Sequence, residues 1–343
     1  MSTTADFWNI EEIEFPQTGT PNEQLKFLLN YALLAPSGHN TQPWKFQIQD
    51  EAIALYADRT RALPVVDPQD RELIISCGTA LFNLRIALRH FGYTGKISTF
   101  PEPSDPDLLA WIQLGKPTQA SPDEQMLFEA IPKRHTNRRD YENWDVPKSM
   151  LAWLQVDAAS EGAWLQVVKG DITRQAIAEL VVRGDRLQMA NPNFRRELAT
   201  WIHRGSSPSH DGIPGYAYGV NQYFDFATPI FALAMRAFDL GDAMAHHNRQ
   251  LVMQSPTILV LGTEKDTVRD WLAAGQALQR LLLRSQAVGL AASFLNQPIE
   301  VPTLRSQLGK LLHASGFPQI LLRLGFGSEV KPTARRGVNE VLL

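Results

Sequence analysis

The sequence predicts an α+β sandwich, and two observations carry that expectation. Helical and strand periodicities alternate along the whole chain, and several strand pairs are joined by connections too short to hold a crossover helix. Short connections make antiparallel hairpins, which favours an α+β arrangement over a doubly wound parallel sheet.

Taken in order, Gln24–Ala35 carries apolar residues at Leu25, Phe27, Leu28, Leu29, Ala32 and Leu33, a helical period that Pro36 ends. Trp44–Gln49 and Ala52–Tyr56 read as strands, with Asp50 and Glu51 as the tight turn between them. Trp44 itself reads as a core residue rather than a stacking platform. A long helix is expected over Asp70–Phe91, then short strands near Gly95–Phe100 and Leu109–Leu114. Gly115–Asp123, GKPTQASPD, is polar with two prolines and makes the best internal boundary, dividing the chain into 1–118 and 119–343. Helices follow at Asp123–Ile131 and Pro147–Val156, a strand at Ala163–Val168 and a helix from Asp171 to Met189. Gly205–Gly219, GSSPSHDGIPGYAYG, is too long and too punctuated for a simple connection. It reads as a lid bearing Tyr216 and Tyr218, or as a plain linker. One long apolar helix is expected over Pro229–His247, a buried strand at Thr257–Gly262, helices at Trp271–Val288 and Val301–His313, and a last strand at Gln319–Leu324.

Two of these segments resemble each other. Gly78–Gly92, GTALFNLRIALRHFG, and Gly275–Gly289, GQALQRLLLRSQAVG, have equal length and agree at Gly, Ala, Leu, Leu and Gly. A duplication explains this, and so does the likeness of any two amphipathic helices that end at glycine.

Composition narrows the function. The chain has 343 residues, 44% hydrophobic and 20% charged, as in a globular protein with a sizeable core. A net charge of -3 gives no general attraction to nucleic acid or anionic membrane. Cys77 is the only cysteine, so neither a disulfide within the chain nor a multi-cysteine metal site is available. The start, MSTTADFWNIEEIEFP, is acidic where a signal peptide is basic, and nothing approaches the roughly 18 apolar residues of a membrane span. The expected location is cytoplasmic.

Three stretches carry chemistry. APSGHNTQPW, from Ala35 to Trp44, lines up donors and acceptors over a short path stiffened by Pro36 and Pro43. IPKRHTNRRDY, from Ile131 to Tyr141, puts five basic or imidazole side chains into the seven positions from Lys133 to Arg139. Such a run is either a solvated surface or, with Thr136 between Arg134 and Arg138, a phosphate-scale site. VKPTARRGVNEVL adds Arg335 and Arg336 near the C-terminus. No Walker-type loop occurs, and LGFG lacks the third glycine and following helix of a dinucleotide fingerprint. His246 and His247 are adjacent, so on a helix they diverge by about 100° and do not share a metal.

APSGHNTQPW resembles the APSxxNxQPW loop of the nitroreductase superfamily of FMN proteins. RHTNR is similar to that superfamily's basic phosphate motif, and AGQALQRLLLRSQAVGLAASFL resembles its long central helix and the loop that follows. The basic motif comes about a hundred residues after the loop here, whereas it precedes the loop in ordinary members. That order resembles the Acg-like branch, in which a single chain mimics the superfamily dimer and supplies both arms of one site.

The resemblance implies a nitroreductase-like sandwich and roles for named residues. Arg134, His135, Thr136, Arg335 and Arg336 would hold the FMN phosphate, and Arg138 the N1 and O2 edge of the ring. Pro36, Ser37, Gly38, Asn40 and Gln42 would line the ring's rim, with Gly38 permitting close approach. Ser293, Phe294, Leu295 and Asn296 would run beside N5. No side chain is required as general acid or nucleophile, because the redox chemistry is the cofactor's. The implied reaction takes electrons from NAD(P)H through flavin to a nitroaromatic or quinone-like acceptor. The alternative is an FMN-storing protein whose flavin lies under a lid. A fused chain completes its own site as a monomer and is equally free to self-associate.

Overall fold

Thr20 begins the first long helix by accepting a hydrogen bond from the Glu23 amide, while the Glu23 carboxylate accepts one from the Thr20 amide, with Pro21 at the first helical position. In the computed structural model, which describes residues 6–204, 207–218 and 222–343, this helix is α1 (Pro21–Ala32) and is followed by β1 (Trp44–Gln49), β2 (Ala52–Ala57), α2 (Arg71–His90), β3 (Tyr93–Thr99) and β4 (Leu108–Pro117). Next come α3 (Pro122–Ala130), α4 (Lys148–Ser160), β5 (Trp164–Val167), α5 (Asp171–Ala190), α6 (Pro192–Thr200) and the two-residue strands β6 (Ile202–His203) and β7 (Ile213–Pro214). The chain ends through α7 (Thr228–Ala237), α8 (Gly241–Gln254), β8 (Thr257–Thr263), α9 (Val268–Ala287), β9 (Leu290–Phe294), α10 (Gln297–Glu300), α11 (Pro302–Leu311), β10 (Phe317–Phe326) and α12 (Val338–Val341). Among the described residues no helix is long and apolar enough to cross a membrane.

Two four-stranded antiparallel sheets share one topology, with strand orders β1-β2-β4-β3 and β5-β8-β10-β9. Each sends a 20-residue helix, α2 or α9, between its second and third strands in chain order. The first sheet joins its opening strands through Asp50 and Glu51, both left-handed at φ 50° and 60°, the turn geometry that matches strand twist. The second sheet carries α5 to α8 at the same point.

Helices α2 and α9 cross at Gly78 and Gly275, the residues that open the two similar sequence stretches. A Cβ on Gly78 would collide with the Leu272 carbonyl oxygen, and one on Gly275 with that of Ile75. The contact is reciprocal, as at a two-fold interface. Beside it the buried Gln279 amide donates to Asn83 Oδ1 at 2.6 Å, and Asn83 donates to the Tyr31 carbonyl at 2.9 Å. Trp44 is fully buried in the main core together with residues of α1, α2, α9 and both sheets.

The structure corrects several boundaries. Pro229–His247 is two helices, because Phe238 turns extended (φ −114°, ψ 148°) and the Asp239 carboxylate accepts from the Gly241 amide at 2.8 Å to restart the chain. The helix expected over Val301–His313 is the continuous α11, Pro302–Leu311, with Val301 extended as its N-cap, and the separate turn α10 precedes it. Residues 290–294, expected as loop, are strand β9, paired with β10 from Phe294↔Leu322 to Leu290↔Phe326. Their small residues LAASF carry little strand signal, and the pairing comes from the neighbouring strand.

At the helix crossing, Gly275→Ala is expected to destabilise by about 1–3 kcal/mol through overpacking, seen as a lowered thermal midpoint. Gly309→Ala in α11, where a Cβ meets Pro318 at an ordinary 3.6 Å, is the control and should be neutral or slightly stabilising.

Candidate functional site

Stretches far apart in the chain converge beyond the C-terminal end of α1. Arg134 Nη2 donates to the Leu34 carbonyl at 3.4 Å. Arg335 donates to Asn40 Oδ1 at 3.0 Å and to the Leu34 carbonyl at 3.4 Å. Arg336 donates its amide to Gln42 Oε1 at 2.8 Å and its guanidinium to the Gln42 carbonyl at 3.1 Å. Thr136 bridges to Ala292 of β9, and the Asn137 amide donates to the Ala292 carbonyl at 3.0 Å. The loop, the basic segment, the C-terminal tail and β9 therefore meet at one place.

The loop after α1 is strained. His39, Asn40 and Gln42 adopt left-handed φ of 50°, 55° and 51°, a conformation that costs a non-glycine residue roughly 1 kcal/mol or more. Hydrogen bonds hold it there: Ser37 Oγ accepts from the Gln42 amide at 2.9 Å, the Ser37 carbonyl accepts from the Asn40 amide at 3.0 Å, and the Pro36 carbonyl accepts from Thr79 Oγ1 at 2.9 Å. Gly38 is not left-handed, and a Cβ there would meet Leu63 at an ordinary 3.6 Å. The special backbone conformations thus fall on its neighbours.

The amides of this loop are engaged within the chain. Asn40 Nδ2 donates to the carbonyls of Gly212 and Ala334 at 3.0 and 3.1 Å, and Gln42 Nε2 to that of His210 at 2.8 Å. These bonds tie residues 210–212, within the stretch 205–219, to the 36–42 loop. Asp211 in the same segment pairs with Arg61 and lies 3.3 Å from His203 Nδ1, while Tyr216 Oη donates to the Pro332 carbonyl at 2.9 Å. Burial alone would raise the Asp211 carboxyl, but hydrogen bonds from His203, Ser209 and Arg61 hold it well below the usual range. Gly205, Ser206, Gly219 and the Tyr218 side chain lie outside the described residues.

The electrostatics are dominated by Arg134 and Arg335, each 3% exposed. Among the described residues neither pairs with a carboxylate, and the Nε of both has no hydrogen-bond partner. Burial pushes Arg134 down to about 10; burial and then Arg134 push Arg335 well below its usual range. Burial and the two guanidinium groups push His135 down to about 3, so its ring is neutral. Two buried like charges without a counter-charge among the described residues cost several kcal/mol in lost hydration and mutual repulsion. Arg336 differs, because its guanidinium faces Asp58 at 4.0 Å and ties down the tail. Arg138 is exposed, and it reinforces burial in pushing the nearby His39 down to about 4.

Side chains of the β9 region serve mainly as framework. Ser293 Oγ accepts from Arg323 Nε at 2.7 Å, and the buried Arg323 also donates to the Asn137 and Arg139 carbonyls at 3.3 and 2.7 Å. Phe294 is half-buried in the ladder, and Leu295 is core, its amide donating to the Leu321 carbonyl at 2.9 Å. Asn296 accepts from the Leu321 amide at 3.0 Å and donates to Glu72 at 3.3 Å. Glu72 and the equally buried Asp67 form an acid group with the half-buried Glu300 that sequence reasoning missed, as it missed Arg323 and Trp8. Trp8 packs against His135 and Arg335. These residues lie outside the recognised motifs and carry no local signal.

A Mycobacterium tuberculosis protein named Acg, with the provisional description NAD(P)H nitroreductase, is 28% identical over 338 residues, covering 95% of this chain and 97% of its own. A second from the same organism, provisionally described as NAD(P)H nitroreductase Rv3131, is 32% identical over 327 residues, covering 93% of this chain and 91% of its own. The chain belongs to the Acg-like nitroreductase family. No family model matches it. Among solved structures, the FMN-dependent nitroreductase NfnB from Mycobacterium smegmatis, in complex with NADPH, overlaps 63% of this chain and 92% of its own at 18% identity and a TM-score of 0.38.

The acid group sets a pH dependence for this nitroreductase-family chain. Burial, then Glu72, raises Asp67 to about 7, and burial, then Glu72, raises Glu300 well above its usual range. Carboxyls whose folded pKa is raised bind more protons folded than unfolded, so stability is full below about pH 4 for these groups and falls as pH rises towards 7 and beyond. Between about pH 5.5 and 8 the depressed His39 and His135 oppose this loss, so the expected outcome is a difference: from about pH 5.5 to 8 the melting midpoint of Glu300→Gln falls less, or rises more, than that of wild type. An equal slope in both proteins would contradict the assignment.

Proposed function

We propose that the chain is an FMN-dependent oxidoreductase that carries two electrons from NAD(P)H to a nitroaromatic or quinone-like acceptor. The observation that carries this reading is the buried pair Arg134 and Arg335, which meets no carboxylate among the described residues, beside the strained 36–42 loop. A phosphate monoester fits that pair, since it brings the negative charge and the several acceptor oxygens that two orphaned Nε groups call for. Neutral His135 and the Thr136 hydroxyl complete the donor set. Bound FMN would supply the redox step itself.

The other residues orient and exclude. Pro36, Ser37, Gly38, Asn40 and Gln42 make a stiff wall whose amides are fixed by the tail and by residues 210–212. Arg138, exposed near His39, is available to the polar edge of the ring, and the backbone of residues 293–296 to another edge. The NAD(P)H and acceptor classes follow the descriptions that the relatives carry. The shared strand order of the two sheets and the reciprocal glycine crossing support reading 1–118 and 119–343 as two halves that complete one site between them.

The bonds across residues 210–216 favour a second reading, in which FMN is stored under a closed strap with little turnover. Purified protein is expected to be yellow, with flavin bands in its visible spectrum. Arg134→Met is expected to lower FMN affinity about 10- to 100-fold, the loss of one charge-assisted contact, without lowering the melting point of the flavin-free protein, because only one long hydrogen bond is lost with it. Rapid reduction by NADPH favours the enzyme. Reduction by dithionite but not NADPH favours the store, and Asp211→Asn, which weakens the Arg61 and His203 contacts, should then admit NADPH.

A further inference from the structure

The N-terminal turn reaches the cation pair through one aromatic residue. Trp8 is 7% exposed, and its indole Nε1 donates to the Thr333 carbonyl at 2.8 Å. The Arg335 guanidinium carbon lies 4.7 Å over its ring. His135 meets the ring edge-on with centroids 4.4 Å apart. Next to it, Phe7 packs on His210 of the strap at 4.9 Å. One indole therefore touches a basic residue from each of the two distant arms and pins the backbone two residues before Arg335.

The chemistry of a ring at this point differs from that of an acid. A carboxylate beside Arg335 would neutralise it and compete with an incoming anion. An aromatic face steadies a desolvated guanidinium while leaving its charge in place. The indole bond to Thr333 fixes where the tail presents Arg335, whose Nη1 is also tied to Thr333 Oγ1 at 2.6 Å and to Asn40 at 3.0 Å. Its Nε has no partner among the described residues. The ring also limits the approach of solvent to His135.

We infer that Trp8 is a positioning residue of the anion cradle, holding Arg335 and His135 so that the site selects a flavin bearing a phosphate over one without it. This rests on the FMN reading above. A residue that only fills space would weaken both flavins alike, whereas a residue that aligns the cradle acts on the phosphate alone.

Flavin-free full-length protein is titrated with FMN and, separately, with riboflavin, following flavin fluorescence, in wild type, Trp8→Phe and Trp8→Leu. Trp8→Leu is expected to lower FMN affinity about tenfold and leave riboflavin affinity unchanged, so that the ratio of the two falls about tenfold, as befits loss of a cation–π contact and a hydrogen bond. Trp8→Phe keeps a ring face and loses the N–H, and should lie between; it carries the test alone where Trp8→Leu does not fold. Equal weakening of both flavins, or no change in either, overturns the inference. Should wild type bind neither flavin, the FMN reading is what fails. The role of Trp8 is then judged by the rise in melting point with pyrophosphate, which is expected in wild type and reduced in the variants, and equal or absent rises overturn it.

Discussion

Two buried guanidinium groups that face no carboxylate among the described residues are the constraint around which this molecule is arranged. Arg134 and Arg335 are 201 positions apart in the chain, and both are driven from water by the same cradle. Folding tolerates such a pair only where other gains exceed the desolvation of two charges. Here the gains come from a large core that spans both sheets and from a tail fastened by Arg336, Gln42 and Trp8.

The rest of the fold fixes where the two charges meet. Gly78 and Gly275 let α2 and α9 approach backbone to backbone, so the two sheets are held in one relation. From that frame α1 delivers the 36–42 loop, and β9, nailed to the basic segment through Thr136, Ala292 and Arg323, delivers Arg134. The left-handed turns at His39, Asn40 and Gln42 concentrate strain at the loop, and bonds from distant segments over-determine it. Preorganisation of this kind keeps donors in place before a ligand arrives.

Much of this was legible in the sequence, for reasons that differ by residue. Helices such as α2 and α9 declared themselves through long apolar periods closed by glycine, and the Asp50–Glu51 hairpin through its turn chemistry. The convergence of the loop, the basic segment and the tail followed from family resemblance and not from spacing, since residues 34, 134 and 335 have no local reason to meet. What each amide does was not legible: Asn40 and Gln42 look like ligand-facing groups, and both are taken up by the chain's own carbonyls and by Arg335 and Arg336. Strand β9 was hidden because LAASF has weak strand propensity and its partner imposes the conformation. The break at Phe238–Leu240 was hidden because apolar residues continue across it and only Asp239 and Gly241 mark the restart. Trp8 and the Asp67, Glu72 and Glu300 group depend on contacts between remote segments, which no window along the chain samples.

A crystal structure of the flavin-loaded protein tests the central claim most directly. The expected result is a flavin phosphate within hydrogen-bonding distance of both Arg134 and Arg335, its oxygens taking up the two Nε groups that lack partners among the described residues. A phosphate lying in solvent, or bound elsewhere with Arg134 and Arg335 left as they are, would contradict the account.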